Sequence, residues 1–288
     1  MASSVATKFL TDRVALVTAS TKGIGFAIAK QLGAAGASVV VCSRKEKNVD
    51  SSKKTTDFQE AVAALRLENI DAHGTTAHVG NKEDRTKLIN FTLDRFTKLD
   101  ILVSNAAVNP HYGDLMSVSD SQWDKLLDLN VKSAFELTKE AVPHLEASGR
   151  GNIVFVSSVA GYSPMNEIGA YSVMKTTLTG LSKSLALNLA RRNIRVNTIA
   201  PGKIKNHLKE MVSPLESPKR HNRIIQTDFS QALFSDEAEK QKWLSQIAQR
   251  RFGDPDECAE AVAFLVSDEA SYISGETIGI NGGMQARI

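Results

Sequence analysis

The sequence contains only two cysteines, Cys42 and Cys258, among its 288 residues. Two thiols cannot build the disulfide framework of a small secreted protein, and their spacing matches no structural zinc site. The six histidines show no ligand spacing either, so the sequence predicts no metal site. This pattern indicates a protein of a reducing compartment whose cysteines pack as small apolar side chains.

The sequence also lacks a large excess of charge of one sign. The 35 basic and 32 acidic residues leave a formal net charge of +3, spread over many segments, which argues against a nucleic-acid partner. No apolar run is long enough to span a bilayer, and the first ten residues lack the apolar core of a signal peptide. Hydrophobic residues nevertheless make up 42% of the chain, enough for the core of a globular domain.

Short β-branched runs alternate with longer helical patterns along the chain. Near-continuous apolar runs are typical of strands buried on both faces, and strand–helix alternation predicts right-handed βαβ units. The sequence therefore predicts one α/β domain over 1–288, a Rossmann-like doubly wound parallel sheet of about seven strands with helices on both faces. The runs lie at 14–18, 38–42, 75–79, 100–104, 152–157, 195–200 and 277–281.

Two polar stretches interrupt this alternation. Residues 51–59 read SSKKTTDFQ and precede a helical pattern that resumes at Glu60. Residues 203–223 are rich in basic residues, contain two prolines and show no apolar period. Both stretches are predicted as insertion loops, the second as a loop or lid beside the end of the sixth strand.

A turn containing two glycines follows the first strand. Residues 18–25 read TASTKGIG and open a helical pattern over 26–32. Such a turn lets backbone N–H groups approach a pyrophosphate, whose charge the helix dipole favours. The turn could be purely structural, but its place directly after the first strand favours dinucleotide binding. The predicted cofactor contacts in it are Ser20, Thr21, Lys22, Gly23, Ile24 and Gly25.

The end of the second strand indicates which dinucleotide binds. An acidic residue at this place holds the ribose 2′-hydroxyl of NAD, whereas this chain has Ser43 followed by Arg44. A guanidinium can pair with a 2′-phosphate, and Lys22 adds a second cation beside the turn. The pattern predicts NADP(H) as the cofactor, with Ser43 and Arg44 as contacts. The alternative is that Arg44 is a solvated charge at a strand end.

Ser158, Tyr171 and Lys175 carry the predicted chemistry. Ser158 follows the fifth strand at the carboxyl end of the sheet, where ligands of open α/β sheets bind. Tyr171 and Lys175 are four residues apart in a helical pattern over 171–191, so they share a face. We expect the ammonium to lower the pKa of the phenol, which donates a proton to a carbonyl oxygen as hydride reaches the carbon. Ser158 is expected to hydrogen-bond the same oxygen.

Taken together, these motifs resemble the short-chain dehydrogenase/reductase family. The similarity covers about residues 13–284, nearly the whole chain, and the motifs follow the order and spacing of the family. One departure is Ala19, where the family usually has glycine. The matching motifs are the turn at 18–25, SNAA at 104–107, Asn130, Ser158, Tyr171 with Lys175, and Pro201–Gly202.

The resemblance implies further roles for individual residues. Asn105 would steady the central strand near the adenosine, and Asn130 would hold a water that relays protons to the lysine. Tyr171 and Lys175 would also contact the cofactor, with Lys175 bonding the hydroxyls of the nicotinamide ribose.

The family pattern after the sixth strand is Pro-Gly-x-Ile-x-Thr, whose isoleucine and threonine touch the nicotinamide. Pro201 and Gly202 match and are predicted cofactor contacts, while Ile204 gives only a partial continuation. Residues 224–230 give a fuller continuation, displaced along the chain. The resemblance therefore predicts Ile225 and Thr227 as the functional pair and 203–223 as extra sequence.

The resemblance implies an NADPH-dependent carbonyl reductase that converts ketones, α-dicarbonyls and retinal-like aldehydes to alcohols, in a homotetramer. Two alternatives stay open: a catalytically silent NADP-binding protein, because of the insertion after Gly202, and an NAD-linked alcohol dehydrogenase. His111 and Tyr112 either line the substrate mouth or are ordinary loop residues. The terminal Ala286–Arg287–Ile288 is an imperfect peroxisomal tripeptide, so the expected location is the peroxisome or the cytoplasm.

Overall fold

The computed structural model describes residues 8–44, 56–205 and 237–284. Seven strands form one sheet in the order β3-β2-β1-β4-β5-β6-β7, and every neighbouring pair is parallel. The predicted doubly wound α/β sheet is therefore confirmed. The strands are β1 (Val14–Val17), β2 (Ser38–Ser43), β3 (Ala72–Thr76), β4 (Ile101–Ser104), β5 (Gly151–Val156), β6 (Ile194–Pro201) and β7 (Thr277–Ile280).

Helices cover both faces of this sheet. Along β1, Ala15 and Val17 belong to one core and Leu16 to the other, the alternation expected of a strand buried on both sides. None of the described helices is long and apolar enough to cross a bilayer. They are α1 (Gly23–Ala34), α2 (Asp57–Leu67), α3 (Lys82–Phe96), α4 (Asp120–Leu127), α5 (Ser133–Ala147), α6 (Gly169–Leu189), α7 (Glu237–Gln246) and α8 (Pro255–Val266).

The helices divide into two layers. Helices α1, α2 and α8 contribute buried side chains to the core on one face, and α3, α5 and α6 contribute to the core on the other face. A π-helical turn, Asp128–Lys132, joins α4 to α5. The carboxyl ends of all seven strands meet at one edge of the sheet, which is where the candidate site lies.

The third strand lies three residues earlier than the sequence predicted. The predicted run was 75–79, whereas β3 begins at Ala72, which pairs with Val39, and ends at Thr76, which pairs with Ser43. As the edge strand of the sheet, β3 is only partly buried and contains a histidine and a glycine, so it lacks the apolar run of a central strand.

The predicted loop over 51–59 is wrong in its last three residues. Helix α2 begins at Asp57 rather than at Glu60. Thr56 occupies the N-cap position, and its backbone N–H donates to Gln59 Oε1 at 2.8 Å. This side-chain-to-backbone bond replaces a missing helical partner and lets the helix start within a polar segment. Residues 51–55 lie outside the described ranges.

The second predicted insertion is described only at its start. Ile204 forms an isolated parallel bridge with Gly253, whose N–H donates to Lys203 O at 3.0 Å and whose carbonyl accepts from Lys205 N at 2.8 Å. Its first three residues are thus paired with the segment before α8. Residues 206–223, Ile225, Thr227 and Ala286–Arg287–Ile288 lie outside the described ranges, so the predictions made for them stay predictions.

Candidate active site

The turn after β1 is held by the two strands that flank β1. On the β2 side, Ser20 N donates to Cys42 O and Cys42 N donates to Ser20 Oγ, each at 3.1 Å. On the β4 side, Asn105 Nδ2 donates to the carbonyls of Thr18 and Ala19, each at 3.0 Å. The chain runs from β1 to β2 on one side and reaches β4 on the other, so the turn lies at a topological switch point. Asn105 thus braces the turn, and its implied place near the adenosine stays a prediction.

The N-terminus of α1 follows this turn with no side-chain cap. Lys22 is the N-cap residue with extended backbone, and the first helical turn contains no acidic residue. Gly23 has a φ of +57°, in the left-handed region that suits glycine. N–H groups at a helix start bind phosphate, so Gly23, Ile24 and Gly25, together with Thr21 in the turn, fit the pyrophosphate of a dinucleotide.

Gly25 is required by close packing. A Cβ at this position would lie 2.5 Å from both Ala19 O and Asn105 Nδ2. These two atoms form one of the hydrogen bonds that hold the turn. A side chain at residue 25 would therefore displace the bracing amide.

We expect Gly25→Ala to lower the unfolding temperature and to weaken dinucleotide binding by about tenfold or more, because the added methyl group displaces the Asn105 amide. The matched control is Gly180→Ala on α6, where the added Cβ meets nothing within 4 Å apart from the local backbone of the helix itself, and alanine favours the helix. Thermal unfolding and a fluorescence titration with the dinucleotide measure both effects. A Gly25→Ala variant that unfolds and binds like wild type would contradict the packing argument.

Three charged residues lie at the ends of the elements next to the turn: Arg44 after β2, Lys22 before α1 and Asp57 at the start of α2. Arg44 directly follows β2 and is exposed, and Ser43 is the last residue of that strand. Lys22 Nζ lies 3.8 Å from Asp57 Oδ1, at the start of α2. The sequence did not predict this carboxylate at the site, because residue 57 was assigned to a loop. Asp57 offsets part of the positive charge of Lys22.

Helix α6 places Tyr171 and Lys175 side by side. Lys175 Nζ lies 5.4 Å from the centroid of the Tyr171 ring. The same nitrogen donates to Val156 O, at the end of β5, at 2.8 Å, and Lys175 is only 2% exposed. Ser157 Oγ donates to the carbonyl of Lys175 at 2.9 Å. The end of β5 thus fixes the lysine at both its main chain and its side chain.

The turn that begins at Ser158 contacts the same helix, α6. It begins a short 3₁₀ turn, Val159–Gly161, and its Oγ accepts from Ala160 N at 3.2 Å. The carbonyl of Gly161 accepts from Thr176 Oγ1 at 2.9 Å, so this turn contacts α6 next to Lys175. Since Ser158 Oγ acts as an acceptor towards the backbone, its hydroxyl hydrogen remains available for a substrate oxygen.

Asn130 lies in the π-helical turn and is 1% exposed. Its Nδ2 donates to Leu126 O at 2.9 Å and to Val108 O at 3.0 Å, and its Oδ1 accepts from Val108 N at 2.9 Å. π-Helical turns frequently occur at functional sites. The side chain is used to fix the loop after β4, and the water that the resemblance implies stays a prediction.

Burial sets the protonation of both catalytic candidates on α6. It lowers the pKa of Lys175 from 10.5 to about 7 and raises the pKa of Tyr171 well above its usual value. The expectation that the ammonium would lower the pKa of the phenol is therefore wrong for the protein groups alone. The cause of the raised pKa of Tyr171 is the desolvation of its phenolate. The phenol stays protonated at neutral pH, the form that a proton donor needs.

Pro201 and Gly202 lie at the carboxyl end of β6, beside the end of β5. Pro201 is the last residue of β6, and Gly202 N donates to Ile280 O on β7 at 2.9 Å. They share the sheet edge with Ser158, and their role as cofactor contacts stays a prediction. Of the two candidates for the substrate mouth, His111 is buried and Tyr112 is exposed.

Two residues that brace the site were not predicted from the sequence. Thr18 Oγ1 accepts from the backbone N–H groups of Asn105 and Ala106 at 2.9 and 3.1 Å, and Ser157 holds Lys175 as described. The available signal was a hydroxyl residue directly after a buried apolar run.

Among the residues that the structure describes, no group of three His, Cys, Asp or Glu side chains could hold a metal ion.

Comparison with known proteins identifies the family. The short chain dehydrogenase model matches residues 13–217, and the Enoyl-(Acyl carrier protein) reductase model matches residues 221–285. The chain belongs to the short-chain dehydrogenase/reductase family. Similar proteins named Dehydrogenase/reductase SDR family member 4 occur in rabbit (Oryctolagus cuniculus; 46% identical, 100% of both chains) and human (Homo sapiens; 45% identical, 97% of this chain and 90% of the relative). The relative of that name in Caenorhabditis elegans is 44% identical over 96% of both chains.

Solved structures of this short-chain dehydrogenase/reductase fold are also similar. A 7α-hydroxysteroid dehydrogenase complexed with NADH and 7-oxo glycochenodeoxycholic acid is 27% identical, with a TM-score of 0.82 over 99% of this chain and 98% of that one. The crystal structure of gox2181 is 25% identical, with a TM-score of 0.83 over 97% and 98%. The chain is therefore an oxidoreductase whose Rossmann fold binds a nicotinamide dinucleotide.

Proposed function

We propose that this protein reduces carbonyl compounds to alcohols with NADPH, using Tyr171 as the proton donor. The observation that carries the proposal is the pairing of the partly buried Tyr171 with the buried Lys175, which the end of β5 fixes directly before Ser158. The substrates that we propose are ketones, α-dicarbonyls and retinal-like aldehydes. Consumption of NADPH with 2,3-butanedione and with retinal tests this assignment, and no consumption with either carbonyl would refute it.

The residues of the chain divide the chemistry between them. The bound dinucleotide supplies the hydride that reaches the carbonyl carbon. Ser158 donates its hydroxyl hydrogen to the carbonyl oxygen and so orients the substrate. Tyr171 donates the phenolic proton to the same oxygen as negative charge develops there. Lys175, with a pKa of about 7, can return a proton to the phenolate at neutral pH.

The preference for NADPH rests on Arg44 and Lys22. Arg44 follows β2 without a carboxylate at the position that binds the ribose of NAD, and Lys22 stands at the start of α1. A guanidinium recognises a phosphate with paired N–H groups, which supports Arg44 as the main contact to the 2′-phosphate.

We expect Arg44→Asp to lower kcat/KM for NADPH by about a hundredfold, because the loss of a charge-assisted contact and the new repulsion act in the same direction. The value for NADH should fall little or rise. Lys87→Asp makes the same charge change at an exposed position of α3 and serves as the control. Steady-state kinetics with both cofactors measure the preference, and an unchanged NADPH/NADH ratio in Arg44→Asp would exclude this role.

A second candidate is NAD-linked oxidation of an alcohol. Asp57 favours it, since this carboxylate offsets the charge of Lys22 near the expected 2′-phosphate position. The similar 7α-hydroxysteroid dehydrogenase was solved with NADH. The same kinetics decide between the two, because a wild-type preference for NADH would support this candidate. A catalytically silent protein is disfavoured by the complete set of Ser158, Tyr171 and Lys175.

The homotetramer and the peroxisomal or cytoplasmic location stay predictions. Large apolar side chains exposed on α5 and α6, namely Phe135, Val173 and Leu187, support a copy of this chain covering these helices.

A further inference from the structure

The loop after β4, residues 105–113, connects two parts of the candidate site. Both backbone groups of Val108 are bonded to the side chain of Asn130. At the other end, Gly113 N donates to Glu167 O at 2.8 Å, just before α6 begins. The loop therefore runs from the π-helical turn to the segment that leads into the helix of Tyr171.

Asn109 is exceptional within this loop. In the described part of the chain, its Oδ1 and Nδ2 are both shielded from solvent and have no hydrogen-bond partner. The next two residues are anchored: Pro110 O accepts from Gln122 Nε2 at 3.2 Å, and His111 Nε2 lies 3.0 Å from Ser117 Oγ. A buried amide without partners is unfavourable, because it has given up its bonds to water. Such a group in a native fold calls for a partner that the chain itself does not provide.

We propose that Asn109 is a specificity residue of the substrate pocket, whose amide binds a hydroxyl group on the carbon next to the carbonyl that is reduced. One hydroxyl can donate to Oδ1 and accept from Nδ2, so an α-hydroxy ketone satisfies both unpaired atoms. This inference rests on the proposed carbonyl reduction and names a substrate class for the same site.

The position of the loop supports a substrate rather than the nicotinamide as the partner. Ser158 follows β5, and Asn109 follows β4 on one side of that strand. Pro201–Gly202, the predicted nicotinamide contacts, follow β6 on the other side. A ketone whose oxygen contacts Ser158 and Tyr171 therefore has the loop of Asn109 on the side away from those contacts.

Hydroxyacetone and butanone test this inference, because they differ only by a hydroxyl in place of a methyl group. Asn109→Leu keeps the size of the side chain and removes both polar atoms. We expect the ratio of kcat/KM for hydroxyacetone to that for butanone to fall about tenfold or more in this variant, because the hydrogen bonds to Oδ1 and to Nδ2 are both lost. Asn90→Leu, at an exposed position of α3, is the control and should keep the wild-type ratio. An unchanged ratio in Asn109→Leu would overturn the inference.

Thermal unfolding without ligand gives a second, independent readout. Asn109→Leu should unfold at the same or a higher temperature than wild type, because two unpaired polar atoms leave the interior. A clearly lower midpoint would mean that the amide makes structural bonds, and this too would overturn the inference. If the wild type reduces 2,3-butanedione or retinal with NADPH but not hydroxyacetone, this inference fails and the proposed function stands. If it reduces none of these carbonyls, the proposed function fails, and the unfolding temperatures then decide whether the amide is free to bind a ligand.

Discussion

Tyr171→Phe should lower kcat by about a thousandfold, the scale of a lost general acid, while the fold and the affinity for the dinucleotide stay close to wild type. The ring packs against a small apolar cluster of Leu126, Ala170 and Met174. Phenylalanine keeps that packing and removes only the hydroxyl group. The effect should appear in kcat for a carbonyl substrate, with thermal unfolding and a dinucleotide titration as checks on the structure.

Tyr162→Phe is the matched control for this prediction. Tyr162 lies four residues after Ser158 and is also partly buried, but its hydroxyl donates to Thr277 O at 3.2 Å on β7. Its loss should change kcat by no more than a few-fold. A Tyr171→Phe variant with near wild-type kcat would show that another group supplies the proton.

Lys175→Met should lower kcat by about a hundredfold or more, because the phenolate then loses the group that reprotonates it. The folded protein should remain stable. Methionine fills a similar volume at a site where burial disfavours the ammonium, and the bond from Nζ to Val156 O is the main interaction lost. Activity and stability are therefore expected to separate in this variant.

The pH dependence of stability gives this second prediction a direct test. The pKa of Lys175 is about 7 in the folded protein and near 10.5 when exposed, so between these values the unfolded chain binds more protons. Stability contributed by this group is therefore lowest below pH 7 and rises with pH towards 10. Denaturant unfolding at about pH 7 and pH 9 should show this rise in wild type and a smaller rise in Lys175→Met. Lys183→Met, exposed on the same helix, should behave like wild type, and identical slopes in all three proteins would refute the shifted pKa.

The sheet could be predicted because its central strands are almost wholly apolar. Residues 14–17 and 101–104 lie between other strands and under helices, so apolar residues are required on both faces of these strands. The edge strand β3 is only partly buried and lacks such an apolar run, so its predicted position was three residues too late. The start of α2 was missed because Thr56 and Gln59 act through a local hydrogen bond that polarity alone does not indicate.

The neighbouring positions of Tyr171 and Lys175 could be predicted from the sequence, and their electrostatics could not. Spacing placed Tyr171 and Lys175 on one face of α6, and the end of β5 placed Ser158 at the carboxyl edge of the sheet. The pKa of Lys175 depends on burial against β5, which is a contact between distant parts of the chain. The ion pair of Asp57 with Lys22 and the unpaired amide of Asn109 depend on contacts of the same kind.

The bracing of the nucleotide turn by Cys42 has a consequence for redox chemistry. Only its backbone groups bond Ser20, and burial raises the pKa of the Cys42 thiol to about 11. Peroxides and alkylating reagents react with the thiolate form of cysteine, which Cys42 hardly forms at neutral pH. A cysteine next to the phosphate-binding turn is thereby protected from oxidation, and dinucleotide binding should survive oxidising conditions that modify exposed thiols in other enzymes.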